Sequence, residues 1–334
     1  MIGYYAHHHG TGHMTRATSI AAATDEHVTV LSSRQPFPHS DIEWLQLPLD
    51  TPQPSDTGDP EYPADETAGG ILHWAPTGVR GLTDRMALIA EWVARVRPRL
   101  VVVDVSVEVT LLVRLLGVDV VVMAMPGERT DTPHTLAYRA ASAIVAPWSR
   151  SVYDPQWLRP YADKTTYVGA ISRFDGRARE TVGSDASVVV LGGAGGTTLV
   201  ASDIELAGAA NPEFRWIAAG IDASSWRADV WPLLCSATVV VTHAGQNALA
   251  DVAAAGSPAI VIPQDRPFDE QIASARALGS ASVAVVTDAW PDPDGWTALL
   301  NRATELGASG WDRVEQRGAA GRAARVLDAG AVVR

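Results

Sequence analysis

The stretch from Val239 to Gln271 constrains the fold more than any other part of the chain. Its residues predict a strand, a tight turn, a helix, a second strand and a polar loop in direct succession. The first strand covers Val239 to Thr242. The helix is expected to start near Gln246 and to stop at Gly256, because glycine commonly ends helices. A buried strand followed at once by a helix is the repeating unit of doubly wound α/β folds.

The turn after this strand is a candidate anion site. A helix that begins at the carboxyl end of a buried strand presents free N–H groups and the positive end of its dipole, and both favour negative charge. His243 lies at the mouth of the turn, and Asn247 and Asp251 share one helical face because they are four residues apart. We interpret the stretch as the holder of a nucleotide diphosphate.

Strand and helix patterns alternate along the whole chain and restart near Ser187, which predicts two doubly wound parallel sheets. The 334 residues are enough for two domains of ordinary size. We expect an N-terminal domain over residues 1–168, a linker over residues 169–183 and a C-terminal domain over residues 184–310. Residues 311–334 are expected to form a helix that packs back across the domain junction.

The composition excludes several classes of function. The chain is globular, with 47% hydrophobic and 19% charged residues, and its net charge of −12 argues against nucleic acid or an anionic membrane as the main partner. The single cysteine, Cys235, excludes an intrachain disulfide and a Cys-based zinc site, and its apolar neighbours predict a core residue. We find no signal peptide and no apolar run of 18 residues, so a cytoplasmic location is expected.

A second glycine-rich turn, HHHGTGH, follows a short strand that is predicted over Ile2 to Ala6. Gly10 and Gly12 allow a tight turn and a close approach of the backbone. His13 then falls in the first turn of a helix, at the edge of the sheet where open α/β sheets bind ligands.

The three histidines before this turn have a plainer interpretation. His7 and His9 share one face of the extended chain, and His8 lies on the other. We expect one face to be a core imidazole and the other to line the cleft. A metal site is not expected, because no carboxylate or further histidine stands at ligand spacing nearby.

Asp104 is the last residue of another predicted strand. A carboxylate at the tip of a parallel strand is a recurrent site position, but capping the next helix is an equally physical role for it. Arg129, Asp131 and His134 lie in a later loop that is expected to face the cleft. Residues 50–76 are rich in Pro, Gly and acidic residues, and they predict either an acceptor-side lid or a solvated loop.

Two motifs resemble those of GT-B glycosyltransferases. THAGQNALADVAAAGSPAIVIPQ followed by DEQ is similar to the donor-binding signature of glycosyltransferase families 1 and 28, and GTGHMTRA is similar to the glycine-rich loop of the same enzymes. The motifs lie about 230 residues apart, in the order that these families require. The resemblance implies an α/β GT-B fold, in which two Rossmann-like domains face each other across a cleft.

The same resemblance implies where the nucleotide-sugar donor binds. His243 corresponds to the diphosphate position, and Asp251 to a glutamate that holds the ribose hydroxyls. Glu270 and Gln271 correspond to a pair that contacts the donor sugar. Trp226 lies near the loop that stacks on the nucleobase of the donor. The donor-binding set implied in this way is Gly12, Gly193, Gly195, Trp226, His243, Ala244, Gly245, Gln246, Asn247, Asp251, Asp269, Glu270 and Gln271.

For catalysis, the resemblance implies that His13 is the general base and that Asp104 orients it. An acceptor hydroxyl is a poor nucleophile until a base removes its proton. The leaving nucleoside diphosphate can be stabilised by helix N–H groups, His243 and a glycine turn, so no cofactor and no metal are expected. A single displacement inverts the anomeric centre. The alternatives for these two residues are a phosphate-contacting or capping role for His13 and helix capping for Asp104.

The main prediction is transfer of a sugar from a nucleotide-sugar, with UDP as the expected nucleotide, to a hydroxyl of a small-molecule or cell-envelope acceptor. Two alternatives keep the fold: a nucleotide-sugar hydrolase that uses water, and a non-catalytic partner protein. The motifs do not determine the acceptor, the donor sugar, the nucleobase of the donor or the oligomeric state. A lipid acceptor would add a peripheral membrane contact.

Overall fold

The computed structural model describes residues 1–52, 65–180, 186–193 and 196–330, and within them it shows two parallel α/β sheets. Most of the loop predicted as a lid, residues 53–64, lies outside the described residues, as does Gly195. The two sheets confirm the predicted α/β architecture. The predicted domain limits at residues 168, 183 and 310 stay predictions.

The N-terminal sheet has seven strands in the order β3-β2-β1-β4-β5-β6-β7, and all neighbours are parallel. Its strands are β1 (Ile2–Ala6), β2 (Val28–Ser32), β3 (Glu43–Gln46), β4 (Leu100–Asp104), β5 (Asp119–Met123), β6 (Ala143–Ala146) and β7 (Thr165–Tyr167). The central strands are rich in valine and buried on both faces, as parallel strands under two helical layers must be.

Helices cover both faces of this sheet. They are α1 (Gly12–Ala21), α2 (Arg80–Val96), α3 (Val107–Leu115) and α4 (Thr132–Ala140), and a 3₁₀ segment follows at Gln156–Lys164. One apolar core lies between the sheet and α1, and a second lies between the sheet and α2 with α3. Ala6 of β1 is paired with Asp104 of β4, so the two strands end at the same level.

The C-terminal sheet has five parallel strands in the order β12-β11-β10-β8-β9. Its strands are β8 (Ser187–Leu191), β9 (Arg215–Ala219), β10 (Val239–Thr242), β11 (Ala259–Val261) and β12 (Val285–Val286). Its helices are α5 (Ala201–Ala210), α6 (Trp231–Ser236), α7 (Gln246–Ala255), α8 (Glu270–Ser280) and α9 (Trp296–Leu306). Cys235 is buried in the core of this half, as predicted.

The last helix, α10 (Ala319–Asp328), packs on the N-terminal half. Ala319, Ala323 and Leu327 belong to the same apolar core as α1. A single helix was expected from residue 311 onward, and this is wrong, because the helix begins only at Ala319. A 3₁₀ segment covers Ser309–Val314, and Gly318 (φ 72°) adopts a left-handed conformation that separates it from α10. Among the described residues, no helix is long and apolar enough to cross a membrane.

Candidate active site between the two sheets

Each sheet has one point at which the strand order reverses. This point lies between β1 and β4 in the N-terminal sheet and between β8 and β10 in the C-terminal sheet. Open α/β sheets bind ligands in the crevice outside the carboxyl ends of such strands. β1 leads into His7 and β4 ends at Asp104, whereas β8 leads into Gly192 and β10 into His243. The topology therefore gathers the predicted residues of each half at one crevice.

The two crevices face each other through the first turns of α1 and α7. The Asn247 side-chain amide donates a hydrogen bond to the Gly12 carbonyl at 3.1 Å, and Arg16 Nη1 donates to Gln246 Oε1 at 3.0 Å. A Cβ atom on Gly12 would lie 3.4 Å from the Asn247 amide nitrogen, so a side chain there would crowd the contact. The sequence motifs of the two halves thus meet in space.

His13 and Asp104 form the predicted pair. His13 Nδ1 lies 2.8 Å from Asp104 Oδ1. Because an ionised carboxylate only accepts hydrogen bonds, Nδ1 carries the proton and Nε2 presents a lone pair. Within the described part of the chain, no residue hydrogen-bonds Nε2, and 14% of the side chain is exposed. This geometry is the one that a general base needs when a carboxylate fixes its tautomer.

Arg16, which was not among the predicted site residues, completes this cluster. Its Nε donates to Asp104 Oδ2 at 2.8 Å and its Nη2 donates to Oδ1 at 2.7 Å, while the Tyr4 hydroxyl donates to Oδ2 at 3.0 Å. Burial alone would raise the pKa of Asp104, but Arg16 and His13 hold it well below its usual range. Arg16 follows His13 by three residues on one helix, and this spacing is the signal that could have identified it.

His243 has both ring nitrogens engaged within the C-terminal half. Nδ1 donates to the Ile262 carbonyl at 3.0 Å, and Nε2 lies 2.8 Å from the Thr197 hydroxyl, which donates to it. Burial lowers the pKa of His243 and outweighs the opposing effect of the bond to Ile262, so the ring is neutral. His243 therefore holds the turn in place, and the N–H groups at the start of α7 are left as the candidate phosphate donors. Phosphate binding there stays a prediction. Ala244 is fully buried, and Gly245 caps α7.

The carboxylate of Asp251 is buried and is already bonded to residues of the predicted linker. Oδ1 accepts from the Ser172 hydroxyl at 2.7 Å, and Oδ2 accepts from Arg173 Nε at 3.1 Å. Burial raises the pKa of Asp251, although Arg173 and Ser172 oppose the shift. A ribose contact by Asp251 stays a prediction, and in this structure it would share the carboxylate with the linker.

The three residues of the Asp269-Glu270-Gln271 segment have different surroundings. Glu270 Oε2 lies 3.4 Å from Arg129 Nη2 of the N-terminal half. Burial raises the pKa of Glu270, and Arg129 partly offsets this. Gln271 is buried and accepts a hydrogen bond from the backbone N–H of Gln264 at 3.0 Å, so it shapes the loop. Asp269 has a left-handed backbone (φ 54°).

The glycine turn after β8 and Trp226 complete the predicted donor set. A Cβ atom on Gly192 would lie 2.2 Å from the Gly220 carbonyl oxygen, so only glycine fits there. Gly193 faces open space. Trp226 is 63% exposed in the turn that follows β9, where a planar ligand could stack on it. Stacking on a base by Trp226 stays a prediction.

The histidines after β1 stack on each other, and a carboxylate lies beside them. The ring centroids of His7 and His8 are 4.6 Å apart, and those of His8 and His9 are 4.5 Å apart. Burial and the neighbouring rings lower the pKa of His7 to about 2. Asp50 Oδ1 lies 3.7 Å from His8 Nε2. The expectation that no carboxylate lies near these rings is therefore wrong, because the loop after β3 carries Asp50 to them.

The loop before α4 contacts the C-terminal half, which agrees with its predicted place at the cleft. Phe268 packs against the rings of His73 and His134, and the Arg129 guanidinium lies 4.5 Å from the Phe268 ring centroid. His134 Nδ1 lies 2.6 Å from the carboxylate of Asp131, which also caps α4. Burial and the charge of Arg129 lower the pKa of His134 to about 4.

Comparison with known proteins agrees with this architecture. Residues 214–289 match the family model of the glycosyltransferase family 28 C-terminal domain. This range runs from β9 to β12 and includes His243 and Glu270. No curated protein matches the chain in sequence.

Solved structures with similar folds cover nearly the whole chain. The glycotransferase of kitacinnamycin has a TM-score of 0.67 at 15% identity, with 98% of each chain covered. MurG of Acinetobacter baumannii has a TM-score of 0.64 at 15% identity, with 98% of this chain and 99% of that one covered. Phytolacca americana UGT2, complexed with UDP-2fluoro-glucose and pterostilbene, has a TM-score of 0.67 at 14% identity, with 99% of each chain covered. Taken together, the two facing sheets and these structural matches show the GT-B fold of glycosyltransferases, and residues 214–289 are similar to the glycosyltransferase family 28 C-terminal domain.

Proposed function

We propose that the protein is an inverting glycosyltransferase that moves a sugar from a nucleotide-sugar to a hydroxyl of an acceptor, with His13 as the general base. The observation that carries this proposal is the position of His13. Its Nδ1 is fixed by Asp104 at 2.8 Å, and its Nε2 has no partner among the described residues. The first turn of α7 lies opposite, within hydrogen-bond contact of α1.

The reaction follows from this arrangement. The acceptor oxygen attacks the anomeric carbon while its proton passes to His13 Nε2. The bond between that carbon and the diphosphate oxygen breaks, and the electron pair leaves with the nucleoside diphosphate. Attack from the side opposite the leaving group inverts the anomeric centre in one step.

The second requirement is that the negative charge developing on the leaving diphosphate be stabilised. The α7 helix begins at Gln246 with its first N–H groups free of intrahelical partners, and the turn before it contains no acidic residue. Preorganised donors at a helix N-terminus can stabilise developing phosphate charge without a metal ion. We therefore propose that the transfer step needs neither a metal nor a cofactor.

The other predicted donor contacts complete the proposal. Asp251 would hold the ribose, Glu270 and Gln271 the sugar, and Trp226 the base. UDP is the proposed nucleotide. A spinosyn rhamnosyltransferase has been solved with thymidine diphosphate and the Phytolacca americana protein with a UDP-sugar, so both nucleotides belong in the test.

Product analysis with purified protein tests the proposal. UDP-, dTDP- and GDP-sugars would be supplied with a panel of small-molecule and envelope-precursor acceptors, and the anomeric configuration of each product would be read by NMR. We expect glycosylated acceptor of inverted configuration, and a decrease in rate of about 10²- to 10⁴-fold in His13→Ala with nucleotide affinity unchanged.

Three outcomes would contradict the proposal. Rapid release of free sugar and nucleotide without an acceptor would identify a hydrolase. Nucleotide binding without turnover in both wild type and His13→Ala would identify a non-catalytic protein. An equal loss of nucleotide affinity in His13→Ala and His243→Ala would make His13 a phosphate ligand.

A further inference from the structure

We propose that His7, His8 and Asp50 form a binding site for a divalent transition metal of the zinc class. The site lies in the N-terminal half, and its existence does not depend on the proposed sugar transfer. Each of the three residues offers one ligand atom, and these atoms all lie within 4.8 Å of one another. No feature of the proposed transfer reaction uses these three residues.

The main evidence is the state of the His8 imidazole. Its side chain is only 11% exposed, and its Nδ1 is buried with no hydrogen-bond partner among the described residues. Its Nε2 is 3.7 Å from Asp50 Oδ1, which is beyond the range of a hydrogen bond. Nδ1 has therefore lost its hydration without replacement, whereas Nε2 is open to a ligand on the side of Asp50. An ion bound at Nε2 would use this open nitrogen and leave Nδ1 as it is.

The same distance fits two ligands of one metal. In tetrahedral zinc sites the bonds to imidazole nitrogen and carboxylate oxygen are about 2.0–2.2 Å, which places two ligand atoms about 3.4 Å apart. The His8 Nε2 to Asp50 Oδ1 separation of 3.7 Å is close to this value. Small rotations would bring these two atoms onto one ion. His7 would have to turn further, because its ring is stacked on that of His8 at an interplanar angle of 22° and a coordinated ion lies near the plane of each imidazole.

Asp50 is held in the orientation that a metal ligand needs. Arg85 is almost fully buried, and its Nη1 donates both to Asp50 Oδ2 and to the Tyr5 hydroxyl. This leaves Oδ1 directed at His8. Outer hydrogen bonds of this kind orient ligating carboxylates in metal sites. The positive charge of Arg85 repels a bound metal ion and lowers its affinity. We therefore expect reversible binding, weaker than at a closed structural zinc site.

The ligand set determines the class of ion. Two imidazoles and one carboxylate suit Zn²⁺ or Co²⁺ better than Mg²⁺ or Ca²⁺, which prefer oxygen ligands, and they leave a fourth position for water. His7 Nδ1 accepts only a long 3.3 Å contact from the His9 backbone N–H. The His7 and His13 ring centroids are 6.2 Å apart, so the ion would lie beside the proposed base.

A second group with ligand-like spacing does not carry the same argument. His73, Asp131 and His134 also place ligand atoms within 4.8 Å of one another. However, the Asp131 carboxylate already accepts from His73 Nε2 at 2.9 Å and from His134 Nδ1 at 2.6 Å, and Arg129 lies 3.2 Å from His134 Nε2. This group is satisfied as it stands.

Metal titration of protein that lacks a polyhistidine tag tests the proposal. Zn²⁺ binding would be measured by calorimetry and Co²⁺ binding by visible absorption, which strengthens when cobalt is four-coordinate. We expect one ion per chain in the wild type. His8→Phe keeps the ring volume without its nitrogens, and Asp50→Asn removes the ligand charge. Each should weaken binding about tenfold or more.

The control variants separate this site from general histidine binding. His9 belongs to the same tripeptide but is exposed and is not part of the ligand group, so His9→Ala should bind as the wild type does. His134→Ala should also retain binding. The proposal is overturned if the wild type binds no ion, which would leave a water on His8, or if His9→Ala loses as much affinity as His8→Phe. Since His8→Phe and Asp50→Asn act on different elements, failure of one variant to fold leaves the other as the test.

Discussion

Arg16→Met should destabilise the N-terminal half strongly, because Arg16 is the counter-ion of a fully buried carboxylate. The substitution keeps an apolar side chain of similar length and removes the guanidinium that bonds Asp104 at 2.7 and 2.8 Å. Asp104 is completely buried. Removing one partner of a buried ion pair costs about 3–5 kcal/mol, because the remaining charge has lost its hydration and its partner. We expect a loss of this size in the free energy of unfolding.

A double-mutant cycle separates this charge effect from lost packing. Asp104→Asn removes the charge that Arg16 compensates, so the double variant contains no uncompensated buried ion. The double variant should regain at least about 2 kcal/mol relative to the sum of the two single changes. Without such coupling, the loss in Arg16→Met would come from its packing.

Urea-induced unfolding followed by tryptophan fluorescence provides the measurement, with Arg150→Met as the matched control. Arg150 is 62% exposed and lies 3.5 Å from Asp154, and an exposed pair of this kind contributes less than about 1 kcal/mol. If Arg16→Met unfolds within about 1 kcal/mol of the wild type, or if the cycle is additive, Arg16 is not the counter-ion that holds Asp104 ionised.

Three further predictions concern the turn before α7 and the contact between the two halves. His243→Ala should weaken UDP binding roughly fivefold, because it removes the bonds to Ile262 and Thr197 that hold this turn in place, and unchanged affinity in calorimetry would show that the turn does not depend on His243. Burial chiefly lowers the pKa of His134 in the folded protein to about 4. Between about pH 4 and 6.5 the unfolded chain therefore binds one more proton than the folded protein. The free energy of unfolding should therefore fall as the pH drops through this window, by at most about 1.4 kcal/mol per pH unit, and His134→Gln should flatten the slope measured by urea titrations at several pH values. Gly127→Ala should cost about 1–3 kcal/mol and increase the radius of gyration in X-ray scattering, because Gly127 has φ 97° and its Cβ would lie 2.1 Å from the Phe268 carbonyl oxygen. Gly321→Ala in α10 is the control, because a Cβ atom there would lie 3.8 Å from Arg325 Nη1, an ordinary contact, and equal effects of the two changes would contradict this account.

Local patterns were sufficient to predict the elements that carry the site. β1 over Ile2–Ala6 and β10 over Val239–Thr242 have the predicted bounds, and α7 starts at Gln246 as expected. Gly256 ends this helix in a left-handed conformation (φ 62°). These signals are short-range, because they depend on β-branched runs and on a glycine that tolerates positive φ.

Partnerships between distant residues could not be predicted in the same way. Arg16 and Asp104 are 88 residues apart in the sequence, and Asp251 and Ser172 are 79 apart. Asp50 reaches His8 only because β3 pairs next to β2 and carries the following loop to the end of β1. No pattern within a window of the sequence encodes such pairings, since they follow from strand order and from which charges the folded core encloses.

The distribution of contacts around His13 indicates that the proposed base is oriented by the N-terminal half alone. Among the residues that the structure describes, Asp104 orients His13, and Tyr4 and Arg16 hold Asp104; all of these lie on β1, β4 or α1. The contact with the C-terminal half runs through a different part of Arg16, whose Nη1 reaches Gln246. Separation of the two halves would break that bond and leave the bidentate pair with Asp104 intact. If His13 is the base, as proposed, its orientation by Asp104 therefore does not depend on the contact with α7.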